Sequence, residues 1–582
     1  MTLFWDDIAE SSYDPISEEY DFEGYVIYRS TDPSFLDQQN ITDVNGSRFL
    51  FEPLKTSTGG WAKFDLINEY QGPSDIPYTG RGVAYHLGNN TGLVHSFIDS
   101  NNVINGQQYF YAISAYDHGT KIMNIGPSES SKTITLNPET NEIFLDINTA
   151  SAVPSVPAAG YTKGSWEMID SVAFIDHIEG SGTGSFELEL LDPRALEDTN
   201  TFQITFKTSP TRYSIEDLSP IFEKRTVKKD VYITLKKNRI NPNSFGVTLN
   251  NELMLEGKDY SLSAESGQIV VSSNLTSSIS DGDEIEISYT YFPLWDSKKL
   301  NLEESNPVVD GIKLYAKDNI LELNRNKTKW QAGSSGNYRA SVMPYNGALA
   351  NMRDSDYEIR WFNSIADTSV LGVATAPFQI WDVTPGRLPF KKDIAVLDYK
   401  IRNNTWDLGE DIVIVEPGEG VNVSWQVTFE KLSTGETIDA SEGDIFYIAT
   451  NRPFNEKDVY RYRTIASKID DEKVKSSLEE IRVVPNPYVV TNRLEPLDRQ
   501  NPRDRGPRRV YFDKLPTSCK ITIYTITGEL VKEISHESSI DNGQEFWDLT
   551  TKDNFPVSYG VYIYHVDAGK LGEKIGRLAI IK

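Results

Sequence analysis

Oxygen-rich turns are where residue type and spacing in this chain first suggest chemistry. Asp281-Gly282-Asp283-Glu284 and Asp99-Ser100-Asn101-Asn102 bunch carboxylate and amide oxygens as a hard cation such as calcium prefers. Neither fits a twelve-residue EF-hand loop, and tight turns select Asp, Asn and Gly in any case. Asp281, Asp283 and Glu284 are therefore calcium candidates with a plain turn as the competing reading. The six histidines (His86, His95, His118, His177, His536, His565) fall in separate segments and form no HExxH or H-x3-H pattern. Gly180-Ser181-Gly182-Thr183-Gly184 has the look of a phosphate loop, but the strand-like FELELL follows it where a helix N-terminus would be needed, so a hairpin turn is expected. No GxSxG nucleophile elbow occurs. Paired carboxylates for glycoside hydrolysis need no fixed spacing, and among 85 acidic residues some pair will stand close by chance. No catalytic site is expected in this span.

The elements that would position any site are strands. Apolar residues alternate with period two in short runs bounded by Gly, Pro, Asn or Asp, the pattern of an all-β chain of tandem sandwiches. With 582 residues and roughly 150 per domain, about four domains are expected. Hydrophobic residues at 38% and aromatics at 11% suffice for packed cores. The net charge of −28 and the absence of a basic stripe argue against nucleic acid and against anionic membrane surfaces. No run approaches the ~18 apolar residues of a membrane span. One cysteine, Cys519, excludes an intrachain disulfide, and its place beside the strand KITIYTI suggests a buried apolar side chain rather than a nucleophile.

The last hundred residues carry the most specific words. Pro485-Asn486-Pro487-Tyr488 opens them, Ile523-Tyr524 turns at Thr527-Gly528-Glu529, and Trp547-Asp548 and Gly560-Val561-Tyr562 follow. In this order they resemble the C-terminal sorting domain of bacterial type IX secretion substrates, an immunoglobulin-like module. The resemblance implies recognition of Pro485, Asn486, Pro487, Tyr488, Gly528, Trp547, Gly560 and Tyr562 by the type IX translocon, and work outside the cell or on its outer surface. In that family the module is often removed and the cargo attached to surface lipopolysaccharide or released. Prolines at a strand start also block edge pairing, so a structural role for the opening is expected beside the sorting role. Such a substrate needs a signal peptide, which MTLFWDDIAESS does not provide, so residue 1 is expected to lie within a longer precursor.

The opening segment resembles a fibronectin type III domain over residues 1–137. Trp5, the alternating EGYVIYRSTDP and NGQQYFYAISAYDHG carry the likeness, and Tyr109 stands where a tyrosine-corner hydroxyl would bond back to the backbone. Residues 35–95 are too long for a loop and are read as a folded insertion. A Pro/Ala/Ser-rich linker is expected at 138–165. A discontinuous sandwich follows at 166–228 plus 298–455. It holds a small β module at 229–297 that resembles one repeated in large bacterial surface proteins, and a second linker at 456–480, read as a strand end followed by a solvated stretch or short helix, precedes the terminal module at 481–582. Most aromatics sit at core-filling strand positions. Trp61, Tyr78, Tyr291 and Trp295 are the candidates for a ligand surface. Beyond the translocon, the expected partners are surface polysaccharide, other surface proteins or further copies of the chain. The function read from these features is a secreted or surface-held, non-catalytic module array. The alternatives are the accessory region of a larger secreted hydrolase, with its catalytic domain upstream, or a glycan-binding surface protein.

Overall fold

Alternation is expressed as strand almost everywhere. The structure, a computed structural model, describes residues 1–136, 142–168, 174–274, 278–297, 300, 306, 308–418, 420–489 and 508–581. Among these the one α-helix is Asp471–Ser477, and the rest of the regular structure is β apart from short 3-10 turns. Residues 138–141 of the expected first linker and 490–507 of the terminal module lie outside the described residues. No helix among the described residues is long and apolar enough to cross a membrane.

The first unit is built on a four-stranded sheet in the order Thr149–Ala152, Tyr109–Asp117, Phe22–Ser30, Lys63–Asp65. Phe22–Ser30 is buried almost throughout, because both faces of the sheet are covered. Val26, Tyr28, Phe110 and Ala112 pack under Phe35, Tyr85 and Leu87, whereas Ile27, Tyr109 and Tyr111 pack under Leu3, Leu54 and Ala62. Segment 35–95 thus supplies cover on both sides and one strand of the sheet itself. The Tyr109 hydroxyl accepts the Ile104 N–H at 3.0 Å and donates to the Asn102 carbonyl at 3.3 Å. Residues 149–152, read from sequence as linker, are instead the edge strand beside Tyr109–Asp117. Their small side chains hid the alternation.

The second unit shares one long sheet with the third. Its path runs Ser165–Trp166, Val459–Ile465, Thr201–Thr208, Thr211–Thr226, Glu284–Leu294, Gly246–Leu249, Glu252–Leu253. Thr211–Thr226 and Glu284–Leu294 pass from one core, around Phe202, Ile204 and Tyr213, into another, around Val247, Ile269 and Ile287. Register shifts at Ile215/Asp217 and Asp217/Ile221 let the paired strands bend between them. Val459–Ile465, expected as no more than a strand end leading into a linker, is a central strand. Its outward Arg461 and Arg463 made it read as solvated, but Tyr460, Tyr462 and Thr464 point inward and are buried.

The next unit is an eight-stranded sheet, Lys329–Trp330, Ile445–Ile448, Tyr357–Trp361, Phe378–Asp382, Phe390–Leu397, Asp411–Glu416, Asn422–Glu430, Arg339–Pro344, wrapped around Trp361, Phe378, Trp425 and Phe429. The C-terminal module pairs Arg482–Val484, Val510–Asp513 and Glu545–Trp547 in one sheet. Tyr488–Val489, Glu573–Ile581, Gly560–Asp567, Ser518–Thr525 and Leu530–Glu537 form the other. Ala159, from the expected first linker, and Val474, from the helix, are part of its core. The Ala159 N–H donates to the Leu515 carbonyl at 2.9 Å and the Gly543 N–H to the Val156 carbonyl at 2.6 Å. The linker is therefore docked on the module it was expected merely to precede.

The glycine-rich segment 180–184 is not a hairpin turn. It joins Asp176–Glu179 to Ser185–Leu190, which belong to different sheets, and it wraps the buried carboxylate of Asp458. The Gly182 N–H donates to Asp458 Oδ1 at 2.8 Å and the Asn455 N–H to Oδ2 at 2.7 Å. A Cβ on Gly180 or Gly182 would come within 2.0 or 2.3 Å of that carboxylate, which is why the chain is glycine there. Burial acts to raise the Asp458 pKa, but the His177 ring and the Gly182, Asn455 and Ser181 N–H groups outweigh it and hold the carboxyl below its usual range. Beside it, the buried Arg452 donates through Nε to the Ser181 carbonyl at 2.6 Å and pairs with the buried Asp356. Asp356 also accepts the Tyr447 hydroxyl and the Thr450 N–H, both at 2.7 Å.

Truncating Arg452 to Ala leaves Asp356 buried without its counter-charge, and about 3–5 kcal/mol of stability should be lost. The measurement is the denaturant midpoint of the full chain. Arg452→Lys should recover only part of the loss, since it cannot reproduce the Nε bond to Ser181. An unchanged midpoint for Arg452→Ala would remove this pair from its structural role.

Candidate functional site

The motif of the terminal module is mostly internal. Pro485 and Pro487 carry the chain from Arg482–Val484 in one sheet to Tyr488–Val489 in the other, and having no N–H they leave no orphan donor in the crossing. Asn486 continues the ladder with its side chain: Nδ2–H donates to the Arg577 carbonyl at 2.8 Å and Oδ1 accepts the Ala579 N–H at 3.1 Å. Tyr488 then runs parallel to Ile580 and is buried. Trp547 is buried against Tyr562, ring centroids 5.8 Å apart, with its Nε1–H on the Thr550 carbonyl at 2.8 Å. The Tyr562 hydroxyl donates to the Ser558 carbonyl at 2.7 Å. Tyr488, Trp547 and Tyr562 belong to one core cluster. Gly528 and Gly560 lie at the exposed end of the five-stranded sheet, Gly528 at φ +87° in the turn between its two outermost strands on that side.

That end of the sheet carries what the motif does not show. Register places Val489 beside Ile581, Val561 beside Ala579, and Tyr524 beside both Leu530 and Ile563 on the outward face. Val489, Ile581, Val561 and Leu530 are exposed, as is Ile526 at the turn, so all five strands contribute to one apolar row. Tyr559 and Phe555 stand exposed at the same end. Further along this face the row gives way to ion pairs, Lys520–Glu533 at 2.8 Å and His565–Glu573 at 2.9 Å. An apolar patch bounded by charge is the composition of an interaction surface. The sequence signal was available: Gly560–Asp567 is apolar on both faces near its start, Val561 and Ile563 alternating with Tyr562 and Tyr564, where a strand with one solvated face needs only one apolar set.

The other candidates do not converge. Trp61 is exposed and Tyr78 half-buried against Phe49, ring centroids 5.3 Å apart, both in the first unit. Tyr291 lies inside the core of the 229–297 unit and cannot offer its ring to a ligand. Trp295 is partly exposed, packed edge-on to Phe292 at 4.7 Å with Lys207 Nζ 5.8 Å from its ring. Asp281 accepts the Lys229 N–H of a remote segment at 2.6 Å and Asp283 the Ser280 N–H of its own turn at 2.7 Å, so both carboxylates are engaged by backbone. Glu284 is exposed, 3.9 Å from Lys224. Among the described residues no group of three or more His, Cys, Asp or Glu side chains is placed to hold a metal ion.

No family model matches the chain, and no curated protein sequence matches it. Among solved structures it is similar to PorZ, a bacterial surface component of the type IX secretion system of Porphyromonas gingivalis, at 11% identity and a TM-score of 0.17, over 89% of this chain and 80% of that one. It is also similar to dimeric latent PorU of the same organism, at 11% and 0.13, over 81% and 42%. The RrgB pilus protein of Streptococcus pneumoniae follows at 9% and 0.11, over 87% and 65%. At such scores these similarities carry no argument about function.

Cys519 faces the core of the terminal module, and burial, with Glu545 and Asp567 adding to it, pushes its thiol up to about 12. At pH 8 only about one molecule in ten thousand would hold a thiolate. In the native chain Cys519 should therefore resist a disulfide-exchange reagent for hours, and react stoichiometrically once denaturant opens the module. Fast native labelling would show that the module opens on its own.

Proposed function

We propose that this chain is a non-catalytic, multidomain β protein that works outside the cell or on its surface, delivered there by the type IX translocon through its C-terminal module. The observation that carries the reading is the apolar row crossing all five strands at one end of that module. The row is costly to leave in water and has no role in the fold beneath it. In this reading Tyr488, Trp547 and Tyr562 act indirectly: they set the two sheets, and the sheets present Val489, Ile526, Leu530, Val561 and Ile581 to the translocon. Asn486 stitches the opening of the module to its last strand, so the opening words and the final residues act as one unit.

The test is to express the full chain behind a Sec signal peptide in a type IX-competent host and in its translocon-deficient mutant. Surface or medium signal is expected only in the competent strain. Val561→Glu with Ile526→Glu, both at exposed positions, should cut that signal severalfold while leaving the melting temperature unchanged. Periplasmic retention in both strains would overturn the export reading, and full export of the double variant would remove the row from it.

A further inference from the structure

The terminal module is joined to the rest of the molecule twice. One joint is the chain itself, running from Ile465 through the helix Asp471–Ser477 to Arg482. The other is not covalent. Residues 154–162 lie against the two loops, 514–517 and 538–544, that close the module at the end opposite its apolar row.

Hydrogen bonds fasten this segment along its whole length. At its start the Pro154 carbonyl accepts the Gly106 N–H of the first unit at 2.8 Å. Tyr511 of the module packs against the same glycine, and its hydroxyl donates to the Gly106 carbonyl at 3.4 Å. In the middle the Ala158 N–H donates to the Ile540 carbonyl and the Ser155 hydroxyl to the Asp541 carbonyl, both at 3.1 Å. The bonds of Ala159 to Leu515 and of Gly543 to Val156 lie between them. At its end the Asp470 N–H donates to the Gly160 carbonyl at 2.9 Å, and Tyr161–Thr162 pair antiparallel with Lys468–Ile469.

The side chains suit a docked strap. Pro154 and Pro157 have φ fixed by their rings, so less conformational freedom is lost when the segment docks. Ala158 and Ala159 are buried, and they are small enough for their backbone to close on the loops. Gly543 completes the fit from the other side. A Cβ there would come within 2.5 Å of the Pro157 carbonyl oxygen and 2.8 Å of the Ala158 Cα. Beside the strap, Arg194 of the second unit reaches Asp541 at 3.4 Å.

We propose that residues 154–162 are a strap that holds the terminal module to the rest of the molecule without a covalent link, so that cutting the connection 466–480 does not release the module. The loop end of the module is then a binding surface for an extended segment of small residues, filled here by the chain's own. This grip is independent of the export reading.

The test uses the full chain with a protease recognition sequence inserted between Glu479 and Glu480, both exposed, and cut under native conditions. The two fragments should elute as one species from a sizing column and separate in denaturant. Gly543→Ala pushes a methyl group into the strap from the module, and Ala158→Pro removes the N–H that the strap donates to Ile540. Each should speed release of the cut fragment at least tenfold. Cys519, buried in the module, should stay unreactive in both variants before cutting, as evidence that the module itself remains closed. Fragments of the otherwise unchanged chain that part as soon as they are cut would overturn the proposal, whether or not either variant folds. Retention that neither substitution weakens would overturn it equally, by assigning the grip to the helix that carries Val474.

Discussion

A carboxylate with no room for water around it constrains the middle of this molecule. Asp458 is fully buried, and a buried charge survives only where donors replace the water it has lost. Here the donors are backbone N–H groups of two remote segments, 180–182 and 455, with His177 alongside at 3.5 Å. Drawing those segments together brings Arg452 onto the Ser181 carbonyl and onto Asp356 in the next sheet. Two neighbouring units are thereby locked through a polar seam that tolerates no Cβ at positions 180 or 182. Val459–Ile465 enters the long sheet immediately after that seam, so the seam fixes where this strand begins.

In the terminal module the residues that make a recognisable motif and the apolar residues left outside are different sets. Aromatic rings that define the words in the sequence are buried, as large apolar side chains in a small sandwich must be if its core is to outweigh the entropy of ordering it. What a partner can touch is the outward set at one end of the five-stranded sheet. The motif determines that set only by determining register: with side chains alternating every residue, a slip of one position would bury Val561 and expose Tyr562.

Net charge shapes how such a molecule can meet others. At −28, copies repel one another at long range, so association must come from short-range, directional contacts and local reversals of sign. The exposed end of the terminal module has this character. The apolar row of the terminal module carries one exposed charge, Arg577 beside Ile563.

The amino-acid sequence alone determined that the chain is all-β, because period-two alternation is written into nearly every run. It also placed Cys519 inside, and marked Pro485 to Tyr488, Trp547 and Tyr562 as belonging together. It misjudged residues 149–152, and at 459–465 it saw no more than a strand end, because small or outward-charged side chains mask a strand whose status is conferred by its neighbours. It gave Tyr291 to a surface that the folded sheet turns inward, and it read 180–184 as a hairpin because no local signal reveals Asp458 lying 276 residues away. Which apolar residues stay outside, which edges stay unpaired and which carboxylates meet which amides were decided only in the tertiary structure. The physical reason is that each depends on partners distant in sequence. Alternation specifies two faces for every strand, and only packing decides which of them meets water.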